Sequence, residues 1–207
     1  GALAAGGAAL AERIASAFTG PARTQAHEHP QRPPAAPVQP VPPVTPSPAR
    51  RAGLPYTPVV TPDGATLPFT MKGGVKEFQL TAEPVRQEFA PGMTVNAWGY
   101  NGRTPGPTIE AGEGDRIRVL VTNHLPEHTS IHWHGIVLPN GMDGVAGLLQ
   151  PHIKPGDTFA YEFTLRQHGT YMYHPHADET VQMAMGMMGF LVIHPRTSAR
   201  RIDRDFC

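Results

Sequence analysis

The chain has 207 residues, 17 Lys and Arg against 17 Asp and Glu, and 40% hydrophobic residues. That is enough for one core of about 120–150 residues plus tails, and the balanced charge gives no electrostatic reason to expect nucleic acid or an anionic membrane as partner. The single cysteine, Cys207, is the last residue, which excludes an internal disulfide.

Residues 1–17 open with the small, apolar run Gly1 to Leu10 and continue to Ala15-Ser16-Ala17. An apolar stretch followed by an A-x-A site has the pattern of a secretory signal without its basic start, so an exported protein, periplasmic or extracellular, is expected. The stretch is too short to span a bilayer. A first residue that is Gly rather than Met, and an end on Asp205-Phe206-Cys207, suggest a piece cut at both ends.

Residues 18–68 read as a linker. Nine prolines fall between Pro30 and Pro48, a composition that buries no core and favours a disordered, extended tail. His27-Glu28-His29 lies within it and reads as incidental. From 69 to 195 the pattern turns strand-like. Residues 76–80, 94–98 and 116–121 alternate, 158–165 carries aromatics at every second position, and 169–174 and 190–193 complete the set. Turn pairs such as Pro91-Gly92, Asn101-Gly102, Asn140-Gly141 and Pro155-Gly156 separate them. No helical period of useful length appears. The expected fold is all-β, an antiparallel sandwich or barrel, followed over 196–207 by the start of an exit linker.

Within that domain stand His132-Trp133-His134 and His174-Pro175-His176. Residues i and i+2 of a strand share a face, with Cα atoms about 6.5–7 Å apart. His132 and His134 thus point one way and Trp133 the other. The same reading applies to His174 and His176, with Pro175 marking an edge or bend. Neutral imidazole suits zinc, copper, iron or nickel, and two such pairs in one sheet are hard to explain by packing. Spacing alone leaves open whether each pair serves one ion or two. His124, His128, His152, His168 and His194 lie in or beside turns and read as solvated.

The runs Thr129 to Gly135 and Gly169 to His176 resemble the first two copper-binding motifs of multicopper oxidases. Asp143-Gly144, the run Gln150 to Gly156, Gly186 to Phe190, the run Asn101 to Pro107 and Glu113-Gly114-Asp115 extend the resemblance over about 76–195. It is closest to the bacterial laccase-like and copper-resistance branch. The resemblance implies a cupredoxin-like Greek-key β-sandwich as the first domain of such an oxidase. It places His132 on a type 2 copper, His134 and His174 on one type 3 copper, and His176 on the other. Asp143 matches the acid that assists proton delivery to bound oxygen, although a turn-forming Asp before Gly explains the residue equally well.

The same resemblance implies eight cluster histidines and a type 1 site, and this chain carries four of the eight and no type 1 motif. Missing C-terminal domains or another subunit would complete the cluster, with O2 and an unknown reducing substrate as partners. A stand-alone copper-binding or copper-buffering module is the alternative, and a mononuclear zinc or iron enzyme a more distant one. Met183, Met185, Met187 and Met188 suggest either flexible packing or a soft path for Cu(I), packing being favoured.

Overall fold

Alternating sequence becomes alternating burial. In the computed structural model, which describes residues 56–197 and 202–207, the strand Arg116–Asn123 buries every second side chain, Ile117, Val119, Val121 and Asn123. The expected export signal, most of the expected linker and the His27-His29 pair lie outside the described residues.

Eleven strands run in chain order: β1 (Val59–Val60), β2 (Phe69–Lys72), β3 (Val75–Ala90), β4 (Met93–Tyr100), β5 (Ile109–Gly112), β6 (Arg116–Asn123), β7 (His132–His134), β8 (Thr158–Thr164), β9 (Gly169–His174), β10 (Gly189–His194) and β11 (Asp205–Phe206). One sheet has the order β2-β3-β6-β8, with β4 also pairing β3. The other has the order β5-β10-β9-β7. Pairing is antiparallel except for β3 with β6, β5 with β10, and the small β1–β11 ladder, which are parallel. Inner faces of both sheets meet in one core. Phe78, Leu80, Val119, Tyr161 and Phe163 come from the first sheet, and Ile109, Trp133, Tyr173, Leu191 and Ile193 from the second. Trp133 sits between them, its ring 5.5 Å from Tyr161 and 5.3 Å from Phe163. Fully burying side chains of this size contributes about 1.5–3 kcal/mol each.

Three expectations need correction. The folded body begins before residue 69. Val59 and Leu67 are buried, the Leu67 amide donates to the Thr108 carbonyl at 2.8 Å, and the Tyr56 ring stacks on His194 at 3.9 Å. Likewise 205–206 do not leave as a linker but pair with β1. A helix, α1 (Glu179–Ala184), follows the second histidine pair. Its six residues are less than two turns, too few to leave a readable period.

His194 is the third correction. It is buried, with its Nε2 2.7 Å from a carboxylate oxygen of the equally buried Glu110. The same carboxylate oxygen accepts the Val59 amide at 2.7 Å. The pair therefore ties the N-terminal segment to β5 and β10.

Candidate metal centre

β7 and β9 lie side by side with His132 opposite His174, Trp133 opposite Tyr173, and His134 opposite Met172. Opposed residues on antiparallel strands point to the same face. Burying Trp133 and Tyr173, both at 0% exposure, therefore turns His132, His134 and His174 to the other face together. The core aromatics aim the histidines. Tyr173 is held in turn by its hydroxyl, which donates to the Pro107 carbonyl at 2.7 Å. Its ring also needs Gly189 on β10, where a Cβ would stand 2.3 Å from it.

The ligand atoms of His132, His134 and His174 all lie within 4.8 Å of one another. His134 Nδ1 and His174 Nε2 are 3.2 Å apart. Two imidazole nitrogens on a single ion, each at about 2.0–2.1 Å, stand roughly 2.9–3.4 Å apart for angles between square and tetrahedral. The observed gap fits a shared ion.

The fourth histidine is placed differently. β9 ends at His174, inside the sheet between β10 and β7. Pro175 is therefore a strand terminator rather than an edge residue, and His176 does not follow His174 by strand alternation. His176 lies outside the three-histidine group, with its ring centroid 5.4 Å from that of His132. Its amide donates to Ser130 Oγ at 3.2 Å.

Partners of the other ring nitrogen set which tautomer is available. His132 Nδ1 is 2.8 Å from the Asp143 carbonyl, and His174 Nδ1 is 2.9 Å from the Pro175 carbonyl. A carbonyl only accepts, so in each ring Nδ1 carries the proton and Nε2 keeps its lone pair for a metal. Burial holds His174 below its ordinary pKa, with the nearby His132 acting in the same direction against the Pro175 carbonyl. The neutral, ligating form is thereby favoured.

Asp143 reaches the site through both its backbone and its side chain. Its carboxylate lies 3.4 Å from His132 Nδ1, beside the shorter contact made by its own carbonyl. The following Gly144 makes this approach possible. It has φ +88°, and a Cβ there would stand 1.7 Å from the Ile131 carbonyl oxygen. No other residue lets the loop close on β7.

Sequence reasoning missed the groups that brace the site. Gln182 of α1 is fully buried. It accepts from Thr129 Oγ1 at 2.7 Å, and donates to the His128 carbonyl at 2.9 Å and to Glu127 at 2.8 Å. The helix is thus bolted to the segment that leads into β7. Met187 is fully buried in the core. The methionine loop is tied down by backbone bonds from the Trp98 amide to Met185 and from the Gly106 amide to Met188. Packing, the favoured reading, describes Met187.

A family model described as multicopper oxidase matches residues 81–198. The chain is 49% identical over 96 residues to copper resistance protein A of Escherichia coli, covering 46% of this chain and 16% of that protein. It is 39% identical over 143 residues to laccase-1 of Cryptococcus neoformans var. grubii, covering 63% and 23%. The crystal structure of a multi-copper oxidase from Pseudomonas thermotolerans superposes with a TM-score of 0.58 at 41% identity, covering 60% of this chain and 30% of that one. The all-β sandwich is thus the cupredoxin-like fold expected from the sequence. The chain spans about a fifth of the length of its curated relatives, from 16% to 24%.

Proposed function

The chain belongs to the multicopper oxidase family, an oxidoreductase family built on copper, and on that premise we propose that it supplies half of the histidines of a trinuclear copper cluster. His132, His134, His174 and His176 are its share. The remaining ligands and the type 1 copper would lie in further domains or in another subunit, and the protein would be exported. Among the described residues, no helix is long and apolar enough to cross a membrane.

The observation that carries this reading is the 3.2 Å gap between His134 Nδ1 and His174 Nε2, two ring nitrogens of different strands meeting with no carboxylate or backbone group between them. Copper bound there supplies one-electron cycling, and with its full complement of ions the reduction of O2 to water by electrons from a substrate oxidised elsewhere. This chain's own residues do the rest. The Asp143 and Pro175 carbonyls hold His132 and His174 as Nδ1–H tautomers. The Asp143 carboxylate, half-buried beside His132, is the acid–base group of this proposal, placed at the edge of the site.

The whole protein, assayed with an oxygen electrode, tests the reading. Loss of His174 is expected to abolish O2 uptake while leaving the blue type 1 absorption intact. The chain alone is expected to bind copper without consuming O2. Turnover by the chain alone, or full O2 uptake without His174, would overturn the proposal. Asp143→Asn keeps the backbone carbonyl that orients His132 but loses the carboxylate. Copper affinity should stay within about twofold while O2 uptake falls on the order of a hundredfold, the usual size of a lost acid–base group. An unchanged rate would reduce Asp143 to a turn residue.

A second reading rests on the fact that three ligands are already gathered in this one chain. They would let it hold one copper ion alone, as a buffering module. Copper uptake by the chain, with no loss of O2 reduction when its histidines are removed from the whole protein, would favour that reading.

A further inference from the structure

The proposed cluster uses the histidines on one face of β7 and at the end of β9. Two others meet elsewhere. Thr129 and Ile153 form an antiparallel bridge, with each amide donating to the other's carbonyl, at 3.0 and 2.9 Å. Both side chains are buried, at 0% and 2% exposure. The residues just before them, His128 and His152, therefore point outward, and both are exposed. Diagonal neighbours across a bridge are within reach of long side chains. Here the two imidazoles meet edge to face with centroids 4.2 Å apart.

Among the described residues nothing accounts for that meeting. Neither ring makes a hydrogen bond or ion pair among the described residues. The backbone beneath them is rigid. Asn123 Nδ2 donates to the Glu127 and Ile153 carbonyls, both at 2.8 Å, and Asn123 Oδ1 accepts the Leu125 amide at 2.8 Å. One asparagine thus sets the separation of the two histidine-bearing segments. His152 also lies against Gly147, where a Cβ would be 3.2 Å from its ring, in the loop that carries Asp143.

We propose that His128 and His152 form a second, bidentate metal site on the outer side of this bridge, for a divalent ion of the copper, nickel and zinc class. Neutral imidazoles select those ions. With each metal–nitrogen bond at about 2.0 Å, ligands at 90° put ring centroids roughly 4.5 Å apart. The exposed rings reach that by rotating a few tenths of an ångström apart. Water fills the remaining positions, so the site is open and its ion exchanges with solvent.

Calorimetric titration of the tag-free full chain with Ni2+ tests this. The His132, His134 and His174 group stays intact in every arm, so its own binding is constant. His128→Ala and His152→Ala are each expected to weaken the outer site on the order of a hundredfold, the advantage of a second linked donor. Either single variant is expected to lose the outer site's affinity by itself, because the one chelate is already lost in each. The double variant removes in addition only the weak residual binding of a lone imidazole. His124→Ala and His168→Ala, which remove other exposed histidines, should change nothing. Two findings would overturn the site: single variants that each keep the outer-site affinity and lose only part of the stoichiometry, which means independent surface histidines, or an equal loss in the His124 or His168 control.

Discussion

Two histidines of this domain, His174 and His194, are both buried, yet their surroundings assign them opposite work. At His174 the neighbour is a carbonyl on Nδ1, 2.9 Å away, and Nε2 faces another imidazole. At His194 a buried carboxylate lies 2.7 Å from Nε2 and a tyrosine ring covers the face. A carbonyl on one nitrogen leaves the other free to ligate. A carboxylate on Nε2 with a stacked ring makes a structural tie. The mark of a ligand histidine in this fold is thus a free ring nitrogen turned toward others of its kind, and burial alone does not confer it.

The largest effect that can break this comparison is on metal affinity. His174→Ala is expected to weaken copper binding by more than about a hundredfold in equilibrium dialysis, since losing even an outer partner of a ligand costs 10–100-fold. His194→Ala should leave copper stoichiometry unchanged while lowering the melting temperature. Copper lost on removing His194 would show that the two sites are one system.

Next in size is the stability held by the tie itself. Glu110→Ala leaves His194 and the Val59 amide without their buried acceptor. Breaking a buried pair from one side costs about 3–5 kcal/mol. That corresponds to a fall of roughly 6–20 °C in Tm for a domain of this size, read by calorimetry, with copper affinity of the folded form unchanged. A fall of only a degree or two would mean that residues 56–60 are not held by this pair.

How much of this was legible depends on the range of the interaction. β9 and the single-face placement of His132 and His134 follow from the two-residue period, which is local and needs only Trp133 to choose the core side. His176 escaped that logic because β9 stops at His174, where the chain meets Pro175 and turns toward α1. His194 resembled the solvated histidines because what distinguishes it, Glu110, is 84 residues away. The acceptors at Asp143 and Pro175 are backbone carbonyls, which every residue type carries, and so have no signature in sequence. Asp143-Gly144 marked a turn, but only the 1.7 Å clearance to Ile131 shows why the second residue must be Gly.

The smallest effect sharpens the comparison through pH. Burial lowers the folded-state pKa of His174 below its ordinary value of 6.5. In the unfolded chain the same group titrates near that ordinary value. Above it, both states are neutral and the stability is complete. As pH falls below it, the unfolded chain takes up a proton that the folded one resists, so stability is lost on the acid side. The metal-free chain should therefore melt at a lower temperature at pH 5.5 than at pH 7.5. His174→Gln, which has no proton to gain, should show a smaller drop between the same two conditions. Copper should widen the difference between the two, because protons then compete directly with the ion for the Nε2 lone pair of the wild type. If the metal-free wild type and the Gln variant lose stability equally on acidification, the His174 ring is solvated in the folded state and the burial it shares with His194 is wrong.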